Sequence, residues 1–331
     1  MKKTLIAIAA IAAMGAASAE VTLYGKLDVG ASTTTNNAAG KVDQGVQIVS
    51  GAYEGSRIGV KGGSDIVAGV KGTFQLEGGV GATDGSFSGF GRVATLGLAG
   101  SFGAVTAGLQ WSPYDNAFND ALEYNGFSAM SNAFAGGVHS DGGNTGNGNT
   151  KNSIQYTTPT VSGFNAVIDY ANGGDATASA GASTYTGLGL NYANGPFAVN
   201  FAAEAKKPVG TGSTVNAWLL ATSYNLGMAT VFLAAEAADA GATTGKDTGT
   251  ALGVSVPLSK AVTAALGYAT ESTSLAGSSD GKTTSTGVQV VYAWNAATAI
   301  YAGYSKTDTT AVGSTATTNA TKLASGVRYN F

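Results

Sequence analysis

The sequence predicts an all-β protein, a 16-stranded antiparallel barrel that crosses a membrane. Three observations carry this prediction. Apolar and polar residues alternate with period two along many segments. Charged residues make up only 11% of the chain, whereas a soluble domain usually has about 25%. The connections between the alternating segments are short at one end and long at the other, as in barrels with periplasmic turns and extracellular loops.

The N-terminus is typical of a secretory signal peptide. The basic pair Lys2-Lys3 precedes a short apolar run over 5–13, and Ala17-Ser18-Ala19 supplies the small residues of a cleavage site. The apolar run is about half of the roughly 20 residues that a transmembrane helix needs. The sequence therefore predicts a signal peptide over 1–19 and a single barrel domain over 20–331.

Composition excludes several other classes. Loss of the two signal-peptide lysines would change the net charge from −3 to −5, and this acidity is not typical of a nucleic-acid binder. The absence of cysteine excludes a small disulfide-stapled fold. The 14 Tyr and 12 Phe argue against a disordered chain despite the 50 Gly. After the signal there is no run of 18 apolar residues, so no transmembrane helix is predicted.

The first mature segment shows the alternation most clearly. One face carries Val21, Leu23, Gly25, Leu27 and Val29, and the other carries Thr22, Tyr24, Lys26, Asp28 and Gly30. A cation on the lipid face near the midplane costs roughly 2–4 kcal/mol. The register that avoids this cost turns the basic residues of the strand-like segments toward the lumen: Lys26, Arg57, Lys61, Lys71 and Arg92.

Connections and aromatic residues complete the prediction. Short turns are expected at 62–65, 193–196, 225–227 and 295–297, and long loops at 33–44, 112–148, 273–282 and 309–320. An interfacial girdle is expected from aromatic residues near strand ends: Tyr24, Tyr292, Trp294, Tyr329 and Phe331. The rival fold is a soluble β-sandwich or solenoid. The signal peptide, the scarcity of charge and the girdle favour the membrane barrel.

Six segments, in order along the chain, resemble the trimeric general porins of Gram-negative bacteria, most closely their β-proteobacterial branch. They are VTLYGKLDVG (21–30), GSRIGVKG (55–62), GVKGTFQLE (69–77), FGRVATLGLAGSFGAVTAGLQ (90–110), KNSIQYTTP (151–159) and GVRYNF (326–331). The resemblance implies a 16-stranded barrel with three copies per assembly. It also implies that the third long loop, about 112–148, folds into each pore as a constriction.

The resemblance also implies which residues form the constriction. Matching the motifs position by position places these residues on a basic wall: Lys26, Arg57, Lys61, Arg92 and Lys151. The acidic candidates on the loop are Asp115, Asp120 and Glu123, although the enterobacterial PEFGG loop motif is absent. Leu109 stands where relatives often have arginine, which would remove one lumen cation. Tyr329 and Phe331 resemble the terminal signal that the barrel-insertion machinery reads.

The function expected from this resemblance is an outer-membrane porin. It would let ions and small hydrophilic solutes diffuse passively. A weak anion preference is expected because three candidate acids on the loop face four candidate cations of the ring, namely Lys26, Arg57, Arg92 and Lys151, with Lys61 as a further lumen cation. The expected partners are two further copies in a homotrimer, outer-membrane lipid and lipopolysaccharide, the insertion machinery, and the solutes. No cofactor or metal is expected.

An enzyme is the main alternative class. The single histidine, His139, lies in a Gly/Asn-rich loop, and catalysis in such barrels needs a base paired with a nucleophile or acid. One histidine without cysteine also does not supply the ligands that a structural zinc site uses. The run 241–247 lacks the spacing of a phosphate loop. No segment is long enough for the plug of an active transporter, whereas an adhesin or phage-receptor role in the loops stays open.

Overall fold

The computed structural model describes residues 20–37, 43–122, 148–173, 183–207, 214–239 and 245–331, and the predicted signal peptide lies outside them. Within these residues the chain forms one antiparallel sheet that closes on itself where β17 pairs with β1, and a helix α1. No described helix is long and apolar enough to cross a membrane. The bounds are β1 (Glu20–Asn36), β2 (Gln44–Ser50), β3 (Arg57–Val67), β4 (Val70–Gly79), β5 (Val93–Gly100), β6 (Gly103–Trp111), α1 (Pro113–Leu122), β7 (Asn149–Thr157), β8 (Phe164–Gly173), β9 (Ser183–Asn194), β10 (Phe197–Lys207), β11 (Val215–Asn225), β12 (Thr230–Asp239), β13 (Lys246–Pro257), β14 (Val262–Ser274), β15 (Gly281–Ala293), β16 (Thr298–Thr310) and β17 (Thr317–Asn330).

The barrel has 16 strands, as predicted, because β2 and β3 are two halves of one barrel strand. Both halves pair with β1, with Val29 opposite Ser50 and Lys26 opposite Arg57. The six residues 51–56 between the two halves do not take part in the strand pairing with β1. Closure gives every described strand two neighbours, so among the described residues the sheet has no open edge with backbone groups unpaired in lipid.

The two faces of the strands separate as the alternation predicts. In β1 the side chain of Leu23 is 51% exposed on the outer surface, whereas Asp28 on the other face is fully buried. The last strand repeats the pattern, with Leu323, Val327 and Tyr329 exposed outward and Ala324 buried. Apolar side chains on the outside and polar side chains within are the reverse of a soluble barrel, and they suit an exterior of lipid.

Most predicted turns are confirmed, and one is wrong. The connections at 195–196, 226–229 and 294–297 join consecutive strands. Residues 62–65 instead lie inside β3, and the chain turns at Ala68-Gly69, where Gly69 adopts a φ of +81°. Gly62 is needed in the strand because a Cβ there would lie 2.5 Å from the backbone oxygen of Glu20 on β1. The glycines therefore permit close strand packing rather than a turn.

The strands also extend further into the predicted loops than expected. The connection after β14 is only 275–280, and the one after β16 is only 311–316. Spanning the membrane takes about 9–11 residues of a tilted strand. The 13-residue β16 and the 14-residue β17 therefore extend past the hydrocarbon region.

The aromatic girdle is confirmed in part. Tyr292, Trp294, Tyr329 and Phe331 are exposed on the outer surface near one end of the barrel. Tyr24 does not belong to it, because its phenol donates a hydrogen bond of 3.0 Å to the Glu77 carboxylate inside the lumen. The ring occupies the space above Gly59 on the neighbouring strand, where a Cβ would lie 2.4 Å from it.

Candidate pore constriction

A cluster of cations lines the lumen where the first and last strands meet. Lys26 on β1 lies directly opposite Arg57 on β3, and Asp28 on β1 lies opposite Arg328 on β17. Arg92, the residue before β5, joins the cluster because its backbone N–H donates to the Glu77 carbonyl across the ladder. Because side chains alternate between the two faces of each strand, the strand pairing places these cations on the same lumen wall although they lie far apart in sequence.

Glu77 on β4 holds two of these cations. Its carboxylate lies 2.7 Å from Nε of Arg92 and 3.8 Å from Nε of Arg57, and it also accepts from Tyr24. The guanidinium of Arg92 lies 4.9 Å from the centre of the Trp111 ring, which adds a cation–π contact. Glu77 lies six residues after Lys71 on β4, so the alternation that turns Lys71 inward also turns Glu77 inward. The alternation did not predict that an acid on the wall, rather than on the loop, pairs with the arginines.

Glu54 holds the other two cations. Its carboxylate lies 2.5 Å from Nζ of Lys26 and 2.9 Å from a guanidinium nitrogen of Arg328. Sequence reasoning missed both Glu54 and Arg328. The alternation of the last strand places Arg328 on the lumen face and could have identified it. Glu54 lies in the interruption of a barrel strand, where no periodic pattern applies.

Lys61 and Lys151 take different positions from the cluster. Lys61 faces the lumen opposite Thr22, with Nζ 5.2 Å from the Tyr24 ring centre. Lys151 is exposed in a bulge of β7, where Asn152 has a φ of 52° and the ladder with β6 shifts register. The structure therefore brings Lys26, Arg57 and Arg92 together, with Lys61 adjacent on the same strands.

Leu109 lies on the outward face of β6, whereas the resemblance led us to expect this position in the lumen. The leucine therefore takes no positive charge out of the lumen of this barrel. It pairs with Ala94 on β5, one residue away from the lumen-facing Val93. Ala94 shares its face with Leu96, which is 70% exposed on the outer surface. The arginine that relatives often carry at this place is therefore not a guide to the charge of this lumen.

Helix α1 opens the third loop and begins with clear capping signals. Ser112 is the N-cap residue, and its Oγ accepts the backbone N–H of Asp115 at 2.9 Å. Pro113 occupies the first helical position, where a missing N–H costs nothing. Asp115 lies in the first turn, where a negative charge favours the helix dipole. The chain thus leaves β6 and enters a helix within two residues.

The helix folds into the barrel and packs against the inner face of β8–β12, as the resemblance implied for the third loop. Tyr114, Ala117 and Phe118 are buried there. The wall that receives them has small or apolar lumen-facing residues: Ala202, Ala217, Leu219, Ala221, Phe232, Ala234, Ala238, Ala251 and Ala269. Alanines let the helix approach the wall closely, so apolar burial fixes the position of the loop inside the lumen.

Of the acidic candidates on the loop, only Asp115 has a described side chain. It is 3% exposed, and a Cβ on Gly148 would lie 2.3 Å from its carboxylate oxygen, so Gly148 packs directly against this side chain. The side chain of Asp120 and the whole of Glu123 lie outside the described residues. The one acidic candidate whose side chain is described is therefore a buried residue in the first turn of α1.

Acids that sequence reasoning did not select lie on the wall behind the helix. The Tyr114 hydroxyl donates a 2.7 Å hydrogen bond to Glu236, and Tyr185 donates a 3.1 Å hydrogen bond to Glu204. Burial, with the negative charge of Glu236, raises the pKa of Tyr114 well above its ordinary value, so its hydroxyl keeps the proton that it donates. The buried Glu236 thereby links the helix to β12, whereas the bond between Tyr185 and Glu204 joins two neighbouring strands of the wall.

These features define a class of protein: a transmembrane β-barrel whose charged lumen is narrowed by an inward-folded third loop. A family model described as Gram-negative porin matches residues 4–312. The chain belongs to the Gram-negative porin family and is an outer-membrane protein.

Named relatives agree with this membership. Outer membrane porin protein 32 of Delftia acidovorans is 37% identical over 242 residues, which cover 69% of this chain and 67% of that protein. Major outer membrane protein P.IB of Neisseria gonorrhoeae is 35% identical over 208 residues, covering 61% of this chain. The match spans only 56% of the length of the gonococcal protein.

Solved structures match over almost the whole chain. An anion-selective porin from Comamonas acidovorans superposes with a TM-score of 0.80 and 25% identity, covering 95% of this chain and 100% of that one. OmpT of Vibrio cholerae, in a trimer form, has a TM-score of 0.72 and 16% identity, and covers 95% of this chain and 100% of that one. The second likeness shows the fold alone.

Proposed function

We propose that the protein is a passive channel for ions and small hydrophilic solutes, with a weak preference for anions. The observation that carries this proposal is the charge cluster on one wall of the lumen. Arg57 and Arg92 share the single acid Glu77, and Lys26 and Arg328 share Glu54. With the buried Asp28 counted as well, four cations face three acids, which leaves one positive charge in excess where a passing ion meets the wall.

The local excess outweighs the acidic charge of the whole chain. Exposed charges farther apart than about 8 Å at physiological salt are largely screened, whereas charges that line a narrow lumen act directly on an ion. The solved neighbour from Comamonas acidovorans is itself named an anion-selective porin. The preference stays weak because each arginine or lysine of the cluster already has a carboxylate beside it.

Reconstitution of the purified barrel into a planar bilayer tests this function. Unitary current steps in KCl support a channel, and a reversal potential of the anion-preferring sign in a tenfold KCl gradient supports the selectivity. An absence of steps from correctly folded barrels would contradict the channel. A strongly cation-selective reversal potential would contradict the preference.

We propose a homotrimer as the functional assembly. The resemblance of the sequence supports it, and one solved neighbour is described as a trimer form. The outer face also offers exposed small residues that let barrels pack closely, such as Ala107 and Ala302. Outer-membrane lipid and lipopolysaccharide are the proposed surroundings of the rest of that face.

We also propose that the last strand carries the signal for the insertion machinery. Tyr329 and Phe331 share the outward face and are 49% and 47% exposed, so both rings are available to a receptor before the barrel closes. This function and the passive channel require no catalysis and no cofactor.

A further inference from the structure

The segment 51–56 interrupts a barrel strand and folds into the lumen. Lys26 of β1 pairs with Arg57, and Val29 of β1 pairs with Ser50. Only two residues separate this pair of positions on β1, whereas six residues separate them on the neighbouring strand. The insert goes inward rather than outward. Its Glu54 reaches Lys26 and Arg328, and its Tyr53 stacks on the lumen-facing Tyr301 with ring centres 5.1 Å apart.

A fully buried carboxylate anchors this insert. Asp28 accepts backbone hydrogen bonds from Tyr53 at 3.1 Å and Glu54 at 2.7 Å, and its other oxygen accepts the Tyr301 hydroxyl at 2.5 Å. Ser56 closes the segment by donating from Oγ to the Asp28 carbonyl and accepting the Asp28 N–H. A buried charge is stable only when it is well hydrogen-bonded, so these donors fix Asp28 and the insert together.

The insert lies across the lumen from helix α1. In a closed barrel of 16 strands, the strand opposite the first is the ninth, and β10 is the ninth barrel strand. The helix packs mainly against β10 and β11, whereas the insert lies at β1 and its neighbours. The lumen is therefore narrowed from two opposite sides, by the third loop and by 51–56.

We propose that 51–56 is a second constricting segment and that Glu54 is a specificity-determining residue of the pore. Glu54 reduces the anion preference because it neutralises part of the charge of Lys26 and Arg328, and Asp28 and Tyr301 are the positioning residues that hold it there. This inference rests on the proposed channel function. The inference adds a second acidic residue to the pore, carried by the inserted segment 51–56, whereas Glu77 belongs to a strand of the wall.

The decisive experiment measures reversal potentials in a KCl gradient for Glu54→Gln and wild type. Removing the counter-charge is expected to raise the chloride-to-potassium permeability ratio by about twofold or more at low salt, where screening is weak. Asp280→Asn is the matched control, because Asp280 is an exposed acid in the extracellular connection 275–280, and it is expected to leave the ratio unchanged. A ratio that stays constant or falls in Glu54→Gln would overturn the inference.

A second pair of variants decides the matter if Glu54→Gln assembles poorly. Lys26→Gln alone is expected to lower the ratio, and Lys26→Gln/Glu54→Gln to restore it toward wild type, because the double variant removes both members of the pair. A double variant with the same ratio as Lys26→Gln would overturn the inference. Failure of this inference is distinguishable from failure of the channel function, because only the latter abolishes current steps in folded wild-type protein.

The positioning role has its own readout. Tyr301→Phe keeps every charge and loses only the hydroxyl that donates to Asp28. It is expected to loosen the insert, which would raise open-channel current noise and bring the selectivity partway toward that of Glu54→Gln. Wild-type noise and selectivity in this variant would show that the Tyr301 hydroxyl does not position Glu54.

Discussion

Gly25 and Phe331 join the two ends of the barrel through a pair of backbone hydrogen bonds. The Gly25 N–H donates to the Phe331 carbonyl at 2.9 Å, and the Phe331 N–H donates to the Gly25 carbonyl at 3.1 Å. The phenyl ring lies over Gly25, where a Cβ would be 2.5 Å from a ring carbon. The terminal residue therefore completes the seam between β1 and β17 only because its partner has no side chain.

Gly25→Ala is expected to weaken this seam. The added methyl group meets both the Phe331 ring and the backbone oxygen of Arg57, and overpacking of this kind costs about 1–3 kcal/mol. The heat-modifiable shift on a gel measures it as a lower temperature of barrel unfolding. Gly45→Ala is the matched control, since no atom lies within 4 Å of a Cβ there. Equal unfolding temperatures for both variants would contradict the account.

Deletion of Phe331 is expected to leave export intact and lower assembly in the outer membrane. The deletion removes two seam hydrogen bonds and one of the two exposed aromatic rings of the terminal strand. Fractionation with quantitative blotting separates periplasmic from outer-membrane protein. Normal barrel yield after the deletion would count against both the seam and the signal.

Phe118→Ala is expected to release helix α1 from the lumen wall. Phe118 is 6% exposed within the apolar cluster, and truncation of such a buried ring costs about 3–5 kcal/mol. Because the helix is held mainly by this burial, single-channel conductance and current noise should both rise. Met228→Ala, at a residue that is 78% exposed in a turn, is the control and should change neither. Unchanged conductance in Phe118→Ala would mean that other contacts hold the loop.

The trimer proposal is tested by gentle extraction. Unheated protein is expected to migrate as an oligomer on a mild-detergent gel, with a mass of three chains by light scattering. A strictly monomeric species under several mild detergents would refute it.

The sequence predicts the barrel well because period-two alternation is a local signal. Leu23 and Asp28 can be assigned to opposite faces from the residues of one strand, and strand count follows from repeating the exercise. The prediction of a turn at 62–65 was wrong because a pair of glycines, Gly62-Gly63, is typical of a turn. Gly62 is required because Glu20 and Phe74 of the neighbouring strands lie against it, and a local sequence window does not contain those residues.

The constriction was predictable only in part for the same reason. The cost of a cation in lipid turns Arg57 and Arg92 inward without any knowledge of contacts. The role of Glu54 could not be predicted from the sequence because its position depends on Asp28 and Tyr301. These two residues are 273 positions apart, so no local pattern relates them. The loop acids rested on the family resemblance, and of these only Asp115 has a described side chain, which is buried in the first turn of α1.

The central claim is that local lumen charge, and not the net charge of the chain, sets ion preference. The most direct test compares the reversal potential of Arg57→Ser/Arg92→Ser with that of Lys246→Ser/Lys282→Ser in the same KCl gradient. Both double variants remove two positive charges. Only the first takes them from the Glu77 cluster, whereas Lys246 is 67% exposed at the extracellular end of β13 and Lys282 is exposed at the corresponding end of β15.

The first variant leaves Glu77 without its two guanidinium partners, so the account predicts a large shift toward cations, with roughly a severalfold fall in the chloride-to-potassium ratio. The second variant is predicted to stay near the weakly anion-preferring wild type. A larger shift from the Lys246 and Lys282 pair, or a wild-type pore that is strongly cation-selective, would contradict the claim.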